Sequence, residues 1–322
     1  MKRSFDGKPK TTNLLLRLCD EISAVAEFLM HHDLCELAVT CKEVHLKVLQ
    51  PLTQRSVYDL DDVMDWSSKR KSWVRSGTVS VHCFMPEVPC NLRKLELTKF
   101  SSAVLQPGTL PETLEDLRLS DFYNTSLRGV LPTRLEKLFV GNEFNQSITG
   151  VLPSSLRELY LGDKFTQRLR IGDLPVELEV LEFGKDYSNT PIDDDVLPVG
   201  LCSLTLPDGF DQPLTQRTLP SGLISLTFGS YFSGPIEPGS LPASLQRVTI
   251  GQYYDADIEV GVLPSGVRSL AFDHGFDCEI KEGAFPTGLT ALTVCDCYDH
   301  PFPERPPKLY IGSVDCPCGP DW

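Results

Sequence analysis

The chain has 322 residues, 41% of them hydrophobic, and a formal net charge of −14. So large an acidic excess repels phosphate backbones and argues against a nucleic-acid partner. No apolar run approaches the roughly 20 residues that cross a bilayer. The 11 cysteines, an odd number, indicate reduced thiols in the cytoplasm.

The first 50 residues have helical character. We expect a disordered tail over residues 1–12. Within 13–50, "NLLLRLCDEISAVAEFLMHHDLCELAVTCKEVHLKVLQ", apolar residues recur at helical spacing, and Asp33 is a typical helix-start residue. Two or three short helices are predicted.

This helical stretch resembles an F-box in the order and spacing of its Asp-Glu-Ile, Phe-Leu, Asp-Leu and Cys-Lys pairs. The resemblance implies that it docks the Skp-type adaptor of a cullin–RING ubiquitin ligase. The implied adaptor-binding residues are Leu18, Ile22, Phe28, Leu29, Leu34, Leu37 and Cys41. The alternative is a helical cap that only shields the repeats that follow.

Residues 51–87 are predicted to link the helices to the repeats and to cap them. The stretch "SGTVSVHCF", residues 76–84, alternates apolar and polar residues and predicts one more strand that starts the sheet. Trp66 and Trp73 are expected to pack between the two regions.

Residues 88–306 consist of about ten repeats of 22 residues. "LPSGLISLTFGSYFSGPIEPGS" at 219–240 is followed at once by "LPASLQRVTIGQYYDADIEVGV". The Leu-Pro openings, numbered here as place one of each unit, fall at Leu110, Leu131, Leu152, Leu174, Leu197, Leu219, Leu241 and Leu263. Such regularity predicts stacked repeats, each of which covers the apolar face of the next.

The pattern within a unit predicts its local structure. Leucine or another apolar residue occupies places five, eight and ten, which describes a short strand with one buried face. A glycine often follows and is expected to turn the chain off the strand. An aromatic at place fourteen and an aliphatic at place eighteen lie on a return leg whose prolines exclude long helices. The fold class is therefore a β-rich solenoid with a parallel sheet, preceded by a small helical domain.

The unit, with its "FNQSI", "FDQPL" and "FSGPI" segments, resembles the FNIP repeat, a relative of the leucine-rich repeat. Ordinary leucine-rich repeats stack a buried asparagine at place thirteen. This chain has other residues there, so we expect no asparagine ladder at Phe122, Glu143, Lys164, Asp186, Gly209 and Tyr231. Some proteins with FNIP repeats are encoded by large DNA viruses. If this chain were virus-encoded, its expected location would be the cytoplasm of the host.

Places seven and nine flank the buried place eight and should face away from the core. Charged and aromatic residues occupy these places in the early repeats, and Phe139 and Tyr160 should be neighbours on adjacent strands. The predicted target-binding residues are Lys94, Glu96, Asp116, Arg118, Lys137, Phe139, Glu158, Tyr160, Glu182, Thr205, Thr227, Arg247 and Thr249. The alternative is that threonine and aromatic residues simply suit strands.

Residues 307–322 are predicted to form a C-terminal cap with a half-repeat at Leu309 and Ile311. Two Cys-x-Cys pairs at this end, Cys295 with Cys297 and Cys316 with Cys318, allow three interpretations: a zinc site, a redox disulfide, or ordinary capping cysteines. We expect the Asp193–Asp195 run to be a solvated turn, because it lacks the spacing of a calcium loop.

No nucleophile–base pattern or phosphate-binding loop is readable from the sequence, so neither catalysis nor a cofactor is predicted. The resemblances together imply a non-enzymatic ubiquitin-ligase substrate receptor, monomeric outside its complex. Its F-box-like helices would bind the adaptor and its repeats an unidentified target protein. The competing interpretation is a scaffold whose N-terminal helices are only a cap.

Overall fold

A computed structural model describes residues 90–97, 105–215, 217–273, 275–294, 298 and 300–302. It also gives the backbone of the strands at 58–59, 76–79 and 309–311. The F-box-like segment, both interdomain tryptophans and the two Cys-x-Cys pairs lie outside the described residues. Predictions about them therefore stay predictions.

The described chain forms one sheet of thirteen parallel strands in sequence order. The strands are β1 Tyr58–Asp59, β2 Ser76–Val79, β3 Lys94–Leu97, β4 Asp116–Arg118, β5 Lys137–Phe139, β6 Glu158–Tyr160, β7 Val180–Glu182, β8 Ser203–Thr205, β9 Ser225–Thr227, β10 Arg247–Ile250, β11 Ser269–Phe272, β12 Ala291–Val294 and β13 Leu309–Ile311. Strands β3 to β12 fall one in each predicted unit and bound nine complete turns. The predicted parallel-sheet solenoid is confirmed.

The two ends of the sheet differ partly from expectation. Of the strand predicted at 76–84, the described residues Ser76–Val79 form a strand, but a further strand precedes it in the sheet. A two-residue strand, Tyr58–Asp59, pairs with it on its outer side. At the other end, Leu309–Ile311 adds the predicted strand of the half-repeat to β12.

Strand register follows the leucine pattern. Equal places of successive units pair directly, as Leu138 does with Leu159. The apolar residues at places five, eight and ten are buried along the described repeats. Because each strand presents its leucine at the same level, every turn covers the apolar face of the turn before it.

An aromatic ladder fills the core on the side of the return legs. The rings of Phe144, Phe165 and Tyr187 stack in sequence, with centroids 6.3 Å and 6.0 Å apart. The ladder extends to Tyr123, which occupies place fourteen of the unit that opens at Leu110. A second run continues from Phe210 to Tyr298: Phe210, Phe232, Tyr254, Phe276 and Tyr298.

The glycines after the strands have a different reason from the one predicted. Gly141 has a positive φ, but Gly162, Gly184, Gly229 and Gly251 do not. In all five, an added Cβ would lie within 2.1 Å of a carbonyl oxygen of the preceding turn. These glycines form a column in which adjacent turns touch backbone to backbone. At the four without a positive φ, close packing rather than turning excludes side chains; at Gly141 both reasons apply.

The return legs are short extended and turn-like segments, as predicted, with one exception. A 3-10 helix at Lys185–Asn189 lies in the 23-residue unit that carries an insertion. No helix within the described residues has the length and apolar character that a membrane crossing needs.

Place thirteen is at the surface, in keeping with its polar and bulky residues; Phe122 is 62% exposed. A short amide ladder lies instead at place fifteen. The Asn124 Oδ1 accepts from the backbone N–H of Asn145, and the Asn145 Oδ1 accepts from that of Thr166. The asparagine of "FNQSI" therefore bridges successive turns near the surface.

A candidate protein-binding groove

Two rows of side chains cover the outward face of the sheet. Row seven is the set of residues at place seven, and row nine is the set at place nine. They flank a buried place eight in every strand from β3 to β12. All thirteen predicted target-binding residues lie in these rows, on one face.

Row nine lines a groove with a volume of about 820 Å³. Its side chains come from eight successive strands: Glu96, Arg118, Phe139, Tyr160, Glu182, Thr205, Thr227 and Thr249. Row seven does not line the groove, so the two predicted rows are not equivalent.

The turns that follow the strands supply the other wall, which the sequence analysis missed. Residues at place twelve line it: Asp121, Asn142, Asp163, Lys185, Asp208 and Ser230. In a parallel sheet all carboxyl ends lie at one edge, so these turns come together beside row nine. The recurrent polar residue at a fixed place was the available signal.

The predicted aromatic neighbours are in contact. The rings of Phe139 and Tyr160 stack with centroids 4.0 Å apart and planes 7° apart. The guanidinium carbon of Arg118 lies 4.2 Å from the Phe139 centroid, a cation–π geometry. The Tyr160 hydroxyl donates to Glu158 at 3.1 Å. The middle of the groove therefore has a half-buried, laterally supported aromatic pair.

Row seven neutralises its own charges. Lys94 pairs with Asp116 at 3.1 Å and Lys137 with Glu158 at 2.6 Å, each across adjacent strands. The hydrogen bond to Glu158 raises the pKa of Lys137. Since these charges satisfy each other, row seven offers a partner little uncompensated charge on β3 to β6; further along it, Arg247 on β10 is exposed.

The groove itself is acidic. Its described lining holds six carboxylates, Glu96, Asp121, Asp163, Glu182, Asp208 and Asp273, against two cations, Arg118 and Lys185. Lys185 lies 4.0 Å from Asp163 and Arg118 covers Phe139. Burial between the groove walls raises the pKa of Glu182, which pairs in register with Tyr160. A net negative potential therefore surrounds the aromatic pair.

The second half of row nine is neutral. Thr205, Thr227 and Thr249 follow one another on β8 to β10 and are half-buried. Their hydroxyls can donate or accept hydrogen bonds without imposing charge. The groove thus changes from charged and aromatic to small and polar along the chain.

The acidic run Asp193–Asp195 is an exposed turn, as predicted, and its carboxylates are held by the two adjacent turns. Arg168 pairs with Asp193 at 2.8 Å and Arg217 pairs with Asp195. Asp194 accepts from the hydroxyl of Thr215 at 2.8 Å. These contacts stabilise the stack locally.

No group of three or more His, Cys, Asp or Glu side chains within the described part of the chain could hold a metal ion. Cys90, Cys202 and Cys278 are free thiols. Burial raises the pKa of the Cys278 thiol, with further contributions from nearby aspartates. Such a thiol is less nucleophilic at neutral pH than an ordinary cysteine.

Known proteins resemble this architecture. The FNIP Repeat family profile matches residues 144–186, 165–209 and 210–253. A solved structure described as "CroV588 a novel circular LRR protein structure" superposes with a TM-score of 0.64 and is 29% identical. The match covers 74% of this chain, which spans 40% of the length of that one.

A second solved structure, YopM from Yersinia enterocolitica WA-314, is 20% identical with a TM-score of 0.33, over 66% of this chain and 53% of that one. No curated protein sequence matches the chain. Residues 144–253 therefore match the FNIP repeat, and the described chain folds as a solenoid similar to a leucine-rich-repeat protein.

Proposed function

We propose that the chain is the substrate receptor of a cullin–RING ubiquitin ligase, in which the groove holds the target protein. Residues 13–50 would dock the Skp-type adaptor, as their resemblance to an F-box implies. Catalysis would belong to the ligase partners. The observation that carries the target-binding half is the aromatic pair Phe139–Tyr160, half-buried within an extended groove on a repeat scaffold.

Interface anchors in protein complexes are typically aromatic or arginine side chains in a partly desolvated setting with charged surroundings. Arg118, Phe139 and Tyr160 have this composition, and their stacking fixes the rings before a partner arrives. Such preorganisation lowers the entropy cost of binding. The groove is also long enough to contact an extended segment rather than a single side chain.

The competing function is a free-standing binding scaffold whose N-terminal helices only cap the solenoid. Both functions use the groove. They differ in whether Leu34 and Leu37 are available to an adaptor or are buried against the first repeats.

The deciding experiment is a pull-down of the full chain with purified Skp-type adaptor. We expect the intact chain to bind, the double variant Leu34→Ala, Leu37→Ala to lose binding while remaining folded by thermal unfolding, and Tyr160→Ser to bind like the intact chain. Failure of the intact chain to bind would refute the receptor role and leave the scaffold. Equal loss in the Tyr160 variant would show that the assay reports general unfolding.

A further inference from the structure

We infer that the groove accepts a basic, extended segment of its protein partner, with an arginine or lysine placed beside Glu182 at the Tyr160 end of the aromatic stack. This inference rests on the groove being the target site. It does not depend on adaptor docking.

The charge of the groove favours a basic partner. From β3 to β6, row seven pairs its own cations and anions, whereas the groove lining has six carboxylates and two cations. Glu96 and Glu182, one on each side of the stack, have no ion pair within the described residues. A cationic segment would compensate this field, while an acidic segment or a nucleic-acid backbone would be repelled.

A cation of the chain, Arg118, already lies at one end of the aromatic stack. Along row nine the order is Glu96, Arg118, Phe139, Tyr160, Glu182. On one side of the stack a carboxylate is followed by a cation that lies on the ring of Phe139. On the other side Glu182 pairs directly with Tyr160, and among the described residues no cation forms an ion pair with its carboxylate. The two ends of the stack therefore differ: a cation of the chain lies on the ring of Phe139, whereas a carboxylate lies beside Tyr160, where a partner's cation would be attracted.

The shape of the groove favours an extended segment. The groove is bordered along one side by row nine and along the other by the place-twelve turns, over eight strands. A narrow acidic channel of this length suits a polypeptide in extended form. The hydroxyls of Thr205, Thr227 and Thr249 can bond the peptide groups of such a segment without discriminating among its side chains.

The test uses the full chain and a random dodecapeptide phage library. We expect the enriched peptides to contain at least two Lys or Arg each. The best of them, synthesised with a fluorescein label, should bind the Glu182→Gln variant about five- to tenfold more weakly in fluorescence anisotropy. The control Glu177→Gln removes the same charge from the same turn outside the groove and should change affinity less than twofold.

Neutral or acidic enriched peptides, or no enrichment, would overturn the inference, as would equal binding by Glu182→Gln. Sedimentation of the free chain tests another occupant: a dimer that dissociates on Glu182→Gln would show that a second copy fills the groove. Basic peptides without adaptor binding would refute the ligase role alone. Adaptor binding with acidic or neutral peptides would refute this inference alone.

Discussion

The glycine column gives the most direct test of how the turns stack. Replacing Gly162 by alanine would place a Cβ 1.7 Å from the carbonyl oxygen of Gly141. Real Cβ atoms keep at least 3.0 Å, so the two backbones would have to separate by about 1.3 Å. Adjacent turns cannot separate locally without losing hydrogen bonds, because the sheet fixes their spacing.

The cost follows from the contacts at that point. Two hydrogen bonds join the turns of Gly141 and Gly162: the N–H of Lys164 donates to the carbonyl of Asn142 at 2.8 Å, and that of Val140 to the carbonyl of Tyr160 at 3.1 Å. Loss of these two bonds costs about 1 kcal/mol each, and overpacking adds about 1–3 kcal/mol. We therefore expect Gly162→Ala to lower the free energy of unfolding by about 3–5 kcal/mol.

Urea titration followed by circular dichroism measures the change. Gly222 is the matched control, since its φ is not positive and its added Cβ would lie an ordinary 3.4 Å from the nearest atom. Gly222→Ala should be neutral or stabilise by up to about 1 kcal/mol, because it restricts the unfolded chain. If the free energy of unfolding of Gly162→Ala lies within about 0.5 kcal/mol of that of the unmodified chain, the two backbones do not approach as closely as described.

Three further outcomes are expected. Phe165→Leu removes ring contacts to both neighbours in the ladder and should cost about 1–3 kcal/mol, against less than about 0.5 kcal/mol for exposed Phe122→Leu, both by urea titration. Burial raises the pKa of Glu182 in the folded chain, so the stability of the unmodified chain falls as the pH rises through that pKa. Glu182→Gln lacks this titration, so its stability relative to the unmodified chain should increase as the pH rises from 4 to 7 in the same urea titrations. Arg157→Met breaks only an exposed ion pair and should shift the thermal midpoint by no more than about 2 °C by calorimetry.

The repeat pattern was sufficient for the architecture because one short motif recurs with a constant period. An apolar residue at place eight of one unit has no other partner than place eight of the next, so Leu138 and Leu159 pair as the spacing implies. The same logic placed Phe139 beside Tyr160. Register between turns is thus encoded in the sequence itself.

Features that depend on distances between turns were not predictable in this way. The sequence shows glycine at 162, but only the 1.7 Å approach to Gly141 separates close packing from a turn requirement. Likewise, rows seven and nine look equivalent in sequence, and row nine lines the groove because the place-twelve turns lie beside it at the carboxyl ends of the strands. Asp121 and Asp163 join the site because all turns meet at one sheet edge, a fact of topology rather than of local pattern.

The spacing of the strands along the groove also limits how a partner is recognised. Strands lie roughly 4.8 Å apart, whereas same-face side chains of an extended peptide recur every 6.6 Å or so, twice the rise per residue. The two periods fall out of step within a few strands, so a peptide that crosses the strands cannot bind each turn in the same way. Affinity must then concentrate where row nine is irregular, at the aromatic pair and Glu182. Thr205→Ala and Thr249→Ala should each change the affinity for a selected peptide less than twofold, and a larger loss at either threonine would contradict this reasoning.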